Sequence, residues 1–248
     1  MYLGKAQEAT GDMIGKAVAA ISFKGGVGKS MLLSCIALGL KRGGSFTVAV
    51  VDAAEDATAT RLLAPRCAAS AGALTYATGG GSAEVCTFDD GALVDAVPPG
   101  RLLGEVKRGA LTALLDRLRR EYNFVLVDLP GAGFTHPLVR EAVKAADGYV
   151  VVLTPQSAPL VGERVRPLLR KPYVVVLNKW VEGLPGRIEA EALGRSKWGP
   201  AWFIVEDKPV VEVATAQEKL PCDMSPRPKF AEAVDRIAAF IAKVFYSV

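Results

Sequence analysis

The chain of 248 residues has one histidine, His136, two asparagines, Asn123 and Asn178, and three glutamines, Gln7, Gln156 and Gln217. Such a shortage of thermolabile amides fits a thermophilic source, and a GC-rich genome favouring Ala, Gly, Val and Arg produces much of the same bias. The four cysteines, Cys35, Cys67, Cys86 and Cys222, show no C-x-x-C or other metal spacing. Cys35 reads as a small core residue, and a Cys67–Cys86 disulfide is conceivable in a thermophile cytosol. His136 has no second histidine to work with and is read as structural. No 18-residue apolar run is present to span a membrane, and no apolar secretory segment opens the chain, so a cytoplasmic protein is expected. Dense Lys/Arg runs are also missing. The net charge of +4 therefore permits contact with nucleic acid or anionic lipid without arguing for either.

What is present is ordinary for one globular domain: half the residues are hydrophobic and 23% are charged. Residues 1–12 are polar and small, carry no strong period and are read as an extension. Residues 13–248 are read as a single domain, with no repeat in them. Its centre is Ser22-Phe23-Lys24-Gly25-Gly26-Val27-Gly28-Lys29-Ser30. An apolar run of strand length, Ala17 to Ile21, precedes it, and an apolar stretch of helix length, Met31 to Leu40, follows. Strand, glycine-rich turn, Lys-Ser and helix make a phosphate-binding loop. Gly25, Gly26 and Gly28 let consecutive N–H groups turn inward as an anion nest. The first helical turn, including Met31, adds unpaired donors and the positive end of a dipole. Lys29 then faces the β- and γ-phosphates, and the Ser30 hydroxyl is placed to ligate Mg²⁺.

The loop departs from G-x-x-x-x-G-K-[ST], because Phe23 replaces the first glycine and Lys24 adds a second lysine. K-G-G-V-G-K-S resembles the deviant Walker A motif of the ParA/MinD family of ATPases. The resemblance runs from Met13 to Phe245. It implies a doubly wound, mostly parallel α/β sheet with helices on both faces, binding of ATP or ADP with Mg²⁺, and slow ATP hydrolysis. It also implies an ATP-dependent homodimer in which Lys24 reaches the partner's nucleotide, a cognate partner protein, and a role in positioning or partitioning DNA or a cellular assembly. DNA binding and nucleoid association would go with a DNA cargo.

Further strand ends carry the remaining motifs. Thr47 to Asp52 reads as a buried parallel strand whose closing Asp52 points to the phosphate site and, by the resemblance, to the metal. In the first-switch pattern that follows, the family's second aspartate falls on Ala54. Asp56, or alternatively Glu55, is expected to supply the hydrolytic carboxylate; otherwise turnover is minimal. Phe124 to Asp128 with Leu129-Pro130-Gly131 resembles Walker B and the second switch, so Asp128 would hold Mg²⁺ through water and the Gly131 N–H would sense the γ-phosphate. Asn178 in Asn178-Lys179-Trp180-Val181 lacks the aspartate of a guanine motif and is expected to meet adenine. Asp207, in a partial match to the family's I-P-x-D segment, would lie beside the base.

Other expectations concern the scaffold. Ala68 to Gly81 reads as a mobile loop, Glu84–Phe88 and Ala92–Val97 as short strands, and Leu111–Tyr122 as a helix with Arg117, Arg119 and Arg120 on its solvated face. Arg164, Arg166, Arg170 and Lys171 form the best basic cluster for DNA. Lys229–Phe245 reads as a core helix in preference to a membrane anchor, since it holds one late cation, Lys243, and no linker precedes it. Two rival functions stand beside the ATPase switch: a nucleotide-gated regulator with almost no turnover, and a metallocentre-assembly ATPase, which the lack of C-x-x-C disfavours.

Overall fold

The computed structural model describes residues 14–43, 46–67, 70–87, 93–158, 170–180, 202–206, 209–217, 219–225 and 227–246. Seven strands form one parallel sheet: β1 (Lys16–Ile21), β2 (Val48–Asp52), β3 (Asp95–Val97), β4 (Phe124–Asp128), β5 (Gly148–Leu153), β6 (Tyr173–Trp180) and β7 (Trp202–Glu206). Their spatial order is β3-β2-β4-β1-β5-β6-β7. The helices among the described residues are α1 (Lys29–Gly43), α2 (Thr58–Leu63), α3 (Ala73–Ala77), α4 (Ala110–Leu118), α5 (Pro137–Ala145), α6 (Pro209–Ala216) and α7 (Lys229–Tyr246). This is the doubly wound architecture expected from strands that read as unbroken Val/Ala/Leu runs, because helices cover both faces.

Strand periodicity sorts the core into two layers. Ala17, Ala19 and Ile21 of β1, with Val125 and Val127 of β4, pack against α3, α4 and α5. Val18 and Ala20, with Val50 and Leu126, face α1, α2 and α7. β1 lies between β4 and β5, so chain connections leave it in both directions, and ligands of such sheets bind at that switch point beyond the carboxyl ends. The register pairs Ala20 with Asp128 and Asp52 with Asp128, which brings both strand-end carboxylates to the mouth of the phosphate loop.

Helix α7 is a core element, as its spacing predicts: Phe230, Val234, Ile237 and Ile241 are buried in the layer that holds α1. Helix α5 starts on His136, whose Nδ1 accepts the Leu138 N–H at 3.3 Å. Its far end is closed by Lys171, whose ammonium donates to the carbonyls of Lys144 and Ala146 at 2.7 and 2.5 Å. Lys171 is therefore engaged in the scaffold, while Arg164 and Arg166 of the expected basic cluster lie outside the described residues.

Several expectations need correction. Within the stretch read as a loop, Ala73–Ala77 is helical, because Ala73, Leu74 and Thr75 find backbone and hydroxyl partners in the 98–101 segment. The strand expected at Glu84–Phe88 is a single antiparallel bridge, Cys86 to Ala96, and its partner strand begins only at Asp95. The helix ending at Tyr122 stops at Leu118. Arg119 is buried instead of solvated: its guanidinium pairs with Asp116 and Asp147 and donates to the Ala145 carbonyl. Cys35 is more than a small core residue, since it is disulfide-bonded to Cys222 and so ties α1 to the segment before α7. Cys67 and Cys86 form the second disulfide.

Candidate nucleotide site

The loop between β1 and α1 opens onto a cavity of about 810 Å³. Residues 24–31 line it, joined by Ala54, Glu55 and Asp56, by Leu129 to Gly131, by Asn178 and Lys179, and by Val211 and Glu212 of α6. Its size suits a nucleotide-sized ligand. Helix α1 begins inside the motif, with the Leu32 N–H bonded to the Gly28 carbonyl at 3.0 Å, so its first-turn donors face the cavity.

Two glycines are required here by geometry. Gly28 has φ 83°, and a Cβ on it would stand 2.4 Å from the amide nitrogen of Asn178. Gly131, in the second switch, lies so close to the phosphate loop that a Cβ would meet Gly25 Cα at 3.0 Å and the Lys24 carbonyl oxygen at 3.1 Å. The two loops therefore touch backbone to backbone, and movement of one is felt by the other.

Lys29 and Asp128 are both buried and form an ion pair. Only Oδ1 of Asp128 is used. Its Oδ2 is buried without a hydrogen-bond partner among the described residues, an arrangement that costs free energy unless a cation or its water completes it. A carboxylate oxygen and a serine hydroxyl are hard-oxygen donors of the kind Mg²⁺ takes while keeping several waters. The residues present thus fit Mg²⁺ with a nucleotide phosphate.

Asp52 is placed differently from Asp128. Its Oδ2 accepts from the Thr60 N–H at 2.8 Å and the Thr60 hydroxyl at 2.9 Å, and its Oδ1 accepts from the Ala54 N–H at 3.2 Å. Both oxygens are thereby directed at the first switch and α2. Burial, reinforced by the negative charge of Asp128, pushes the Asp52 carboxyl up to about 7, and the three donors only partly offset this. Between Asp52 and α2, Ala57 adopts φ 51°, left-handed backbone uncommon for alanine.

The other expected residues divide. Lys24 is exposed at the cavity mouth, with its backbone carbonyl accepting from the Ser22 hydroxyl at 3.3 Å. Asp56 and Glu55 are exposed on the cavity wall beside Ala54, and Asp56 Oδ1 accepts from the Thr58 N–H at 3.5 Å. Asn178 is buried, and its amide donates to the Val27 carbonyl at 2.8 Å, which ties the end of β6 to the phosphate loop. Asp207 lies outside the described residues. Sequence reasoning missed Thr58 and Arg61 of α2 and Val211, Glu212 and Ala216 of α6, all of which line the cavity. Helical spacing of Thr58 and Arg61 was the available signal for the first pair; nothing local pointed to the second group.

A glycine-rich loop at the switch point of a parallel sheet, with a buried Lys–Asp pair and a half-satisfied carboxylate, defines a P-loop nucleotide-binding protein. Residues 17–158, more than half of the chain, match the family model described as "ATPase MipZ", and the chain belongs to that ATPase family. No curated protein matches it in sequence. Among solved structures, the MinC:MinD cell division protein complex of Aquifex aeolicus superposes with TM-score 0.75 at 18% identity, covering 91% of this chain and 95% of that one. The putative plasmid partition protein BB_S35 of Borrelia burgdorferi, bound to AMPPNP, gives 0.74 at 16% identity over 93% and 99%. The septum site-determining protein MinD of Pyrococcus horikoshii, complexed with Mg-ADP, gives 0.69 at 18% identity over 94% and 98%. At these identities the likeness is one of fold, and it supports the parallel α/β reading.

Proposed function

We propose that this chain is a Mg-ATP-dependent dimerisation switch that positions or partitions DNA or a cellular assembly and is reset by slow ATP hydrolysis. The observation that carries the reading is the buried Lys29–Asp128 pair with its unpartnered Oδ2, set against a phosphate loop whose extra lysine, Lys24, is exposed. When bound, Mg-ATP supplies the phosphoanhydride and the metal that polarises it. The chain would supply the rest: inward N–H groups of 25–30 would bind phosphate oxygens, Lys29 would neutralise charge, the Ser30 hydroxyl would ligate the metal and Asp128 would hold it through water. Gly131, in backbone contact with Gly25, couples the second switch to that cradle. Lys24, free to extend outward, serves the nucleotide of a second copy. The neighbours carrying AMPPNP or Mg-ADP, and the one solved with MinC, support a nucleotide site and a protein partner. A cytoplasmic location follows from this reading.

The second reading, a regulator with minimal turnover, is favoured by Ala54, an apolar residue on the cavity wall where a carboxylate would hold the attacking water. Asp56 is our choice for the substitute. A metallocentre-assembly role is set aside, because all four cysteines are paired in disulfides and are not available as thiolates. The deciding experiment is solution mass in Mg-ATP against Mg-ADP, for wild type and Lys24→Ala. A dimer in ATP that Lys24→Ala fails to form supports the switch; a wild type that binds ATP and stays monomeric overturns it. Single-turnover hydrolysis by wild type and Asp56→Asn then separates the two readings: a fall of about tenfold or more in the variant identifies a working carboxylate, and a wild type without measurable turnover leaves the regulator.

A further inference from the structure

The first-switch helix α2 is a wall of the nucleotide cavity, to which it contributes Thr58, Arg61 and Leu62. It is fastened at both ends. At its start, Thr60 is bonded to Asp52, and Ala57 stands in left-handed backbone at φ 51°. A non-glycine residue persists there only where its surroundings impose the conformation. At the far end, Ala64, whose N–H meets the Thr60 carbonyl at 2.7 Å, leads directly into the single turn Pro65–Cys67. The Cys67–Cys86 disulfide fixes this turn to the edge of the sheet, where Cys86 exchanges two backbone hydrogen bonds with Ala96 of β3 at 2.7 and 2.9 Å.

Little else holds that end. Ala64, Cys67, Cys86 and Ala96 form a cluster of small side chains apart from both main core layers, whereas Cys35 and Cys222 lie within one of those layers. Cys67 keeps 8% of its surface exposed, directly after exposed Pro65 and Arg66, against 1% for Cys35. Of the two bridges, Cys67–Cys86 is therefore the one a reductant reaches with less local opening.

We propose that the Cys67–Cys86 bridge is a redox-operated latch on the first switch, an inference that rests on the nucleotide-site reading. Closed, it holds α2 against the nucleotide. Opened by a dithiol reductant, it lets Ala57 relax and α2 move out, and nucleotide leaves faster. A thiolate of the reductant attacks Cys67 Sγ, the S–S bond breaks, and Cys86 departs as a thiolate. The reductant's second thiolate then displaces Cys67 from the mixed disulfide. Two electrons and two protons pass to the protein, which gains two thiols as the dithiol becomes a disulfide. In the cytoplasm proposed above, a bridge of this kind is ordinarily reversible.

The test is the release rate of a fluorescent ADP analogue with Mg²⁺ from the full chain, followed by stopped flow. It compares oxidised protein, protein titrated with dithiothreitol, and the double variant Cys67→Ser/Cys86→Ser, with alkylation and mass analysis locating the opened bridge at each step. Thiols are expected at Cys67 and Cys86 before any at Cys35 and Cys222. Once they appear, release should be about tenfold faster, a size that one strained residue supplies. The double variant should release as fast with or without reductant. Ala57→Gly removes the strain, so reduction should speed its release by less than about threefold. The proposal is overturned, with the nucleotide site left standing, by release that stays unchanged while Cys67 and Cys86 are alkylated, by thiols that appear first at Cys35 and Cys222, or by a response in Ala57→Gly equal to that of wild type. A wild type that does not bind the analogue overturns the nucleotide reading itself, and this one with it.

Discussion

Replacing Thr60 by valine removes one hydroxyl and keeps the shape of a fully buried side chain. The hydroxyl donates to Asp52 at 2.9 Å, one of three donors that hold this buried carboxylate. Its loss should cost about 1.5–3 kcal/mol where Asp52 is ionised, the usual range for a hydrogen bond to a charged group, and about 0.5–1.5 kcal/mol where it is neutral. The pH at which one regime gives way to the other follows from burial and Asp128, which raise the folded-state carboxyl to about 7, well above its unfolded value. Between about pH 4 and pH 7 the folded protein holds a proton that the unfolded chain has released. Folding then takes up a proton, and the contribution of Asp52 to stability falls as pH rises through that window and is level above it. Thr60→Val weakens the ionised form further, so its deficit against wild type should widen as pH rises through 7. Urea unfolding of both proteins at pH 5 and pH 8, with EDTA and no nucleotide, measures this difference directly. A deficit that is equal at the two pH values, or smaller at pH 8, would refute the claim that Thr60 holds an ionisable Asp52 and thereby anchors the first switch to β2.

Three further outcomes follow from the same geometry. Gly131→Ala puts a methyl about 3 Å from the backbone of Lys24 and Gly25, so the second switch must back away from the phosphate loop. Titration with a fluorescent ADP analogue should show affinity lower by about tenfold or more, with the melting temperature little changed. Reduction should destabilise strongly, because the Cys35–Cys222 and Cys67–Cys86 bridges span 187 and 19 residues, for which chain entropy gives about 5 and about 3 kcal/mol; thermal melts with and without a phosphine reductant test this, and alkylation with mass analysis before reduction should label no thiol. Glu141→Ala strips the N-terminus of α4, where Gly109 brings no side chain and the Glu141 carboxylate accepts the Gly109 and Leu111 N–H groups at 2.5 and 3.3 Å. A loss of about 1–2 kcal/mol is expected in denaturant unfolding, and Glu141→Gln should recover part of it.

How much of this was legible before any coordinates depends on where each signal is stored. The phosphate loop, β1, α1 and the carboxylates of β2 and β4 are written in contiguous residues: an apolar run ends, a carboxylate or glycine cluster follows, and parallel-sheet geometry puts those ends together. Contacts made at a distance were not legible. Arg119 looks like the solvated end of an amphipathic helix, yet the register that bonds the Ala17 N–H to Asp147 at 2.8 Å also brings that carboxylate to its guanidinium, and burial follows. Cys35 sits at a position any small core residue could fill; only the packing of α7 on α1 brings Cys222 to it, with 5.8 Å between the Cα atoms. The same limit holds around Asn178. Asn178 was singled out by the family resemblance, but its partner in the structure, the Val27 carbonyl, is 151 residues away in sequence. Lys179, turned by a strand irregularity, and Glu212 of α6 reach the cavity without any motif to mark them. The motifs are legible because backbone N–H groups in one short loop suffice to make a phosphate cradle, whereas the rest of the cavity wall is built from side chains that separate strand ends and helices deliver.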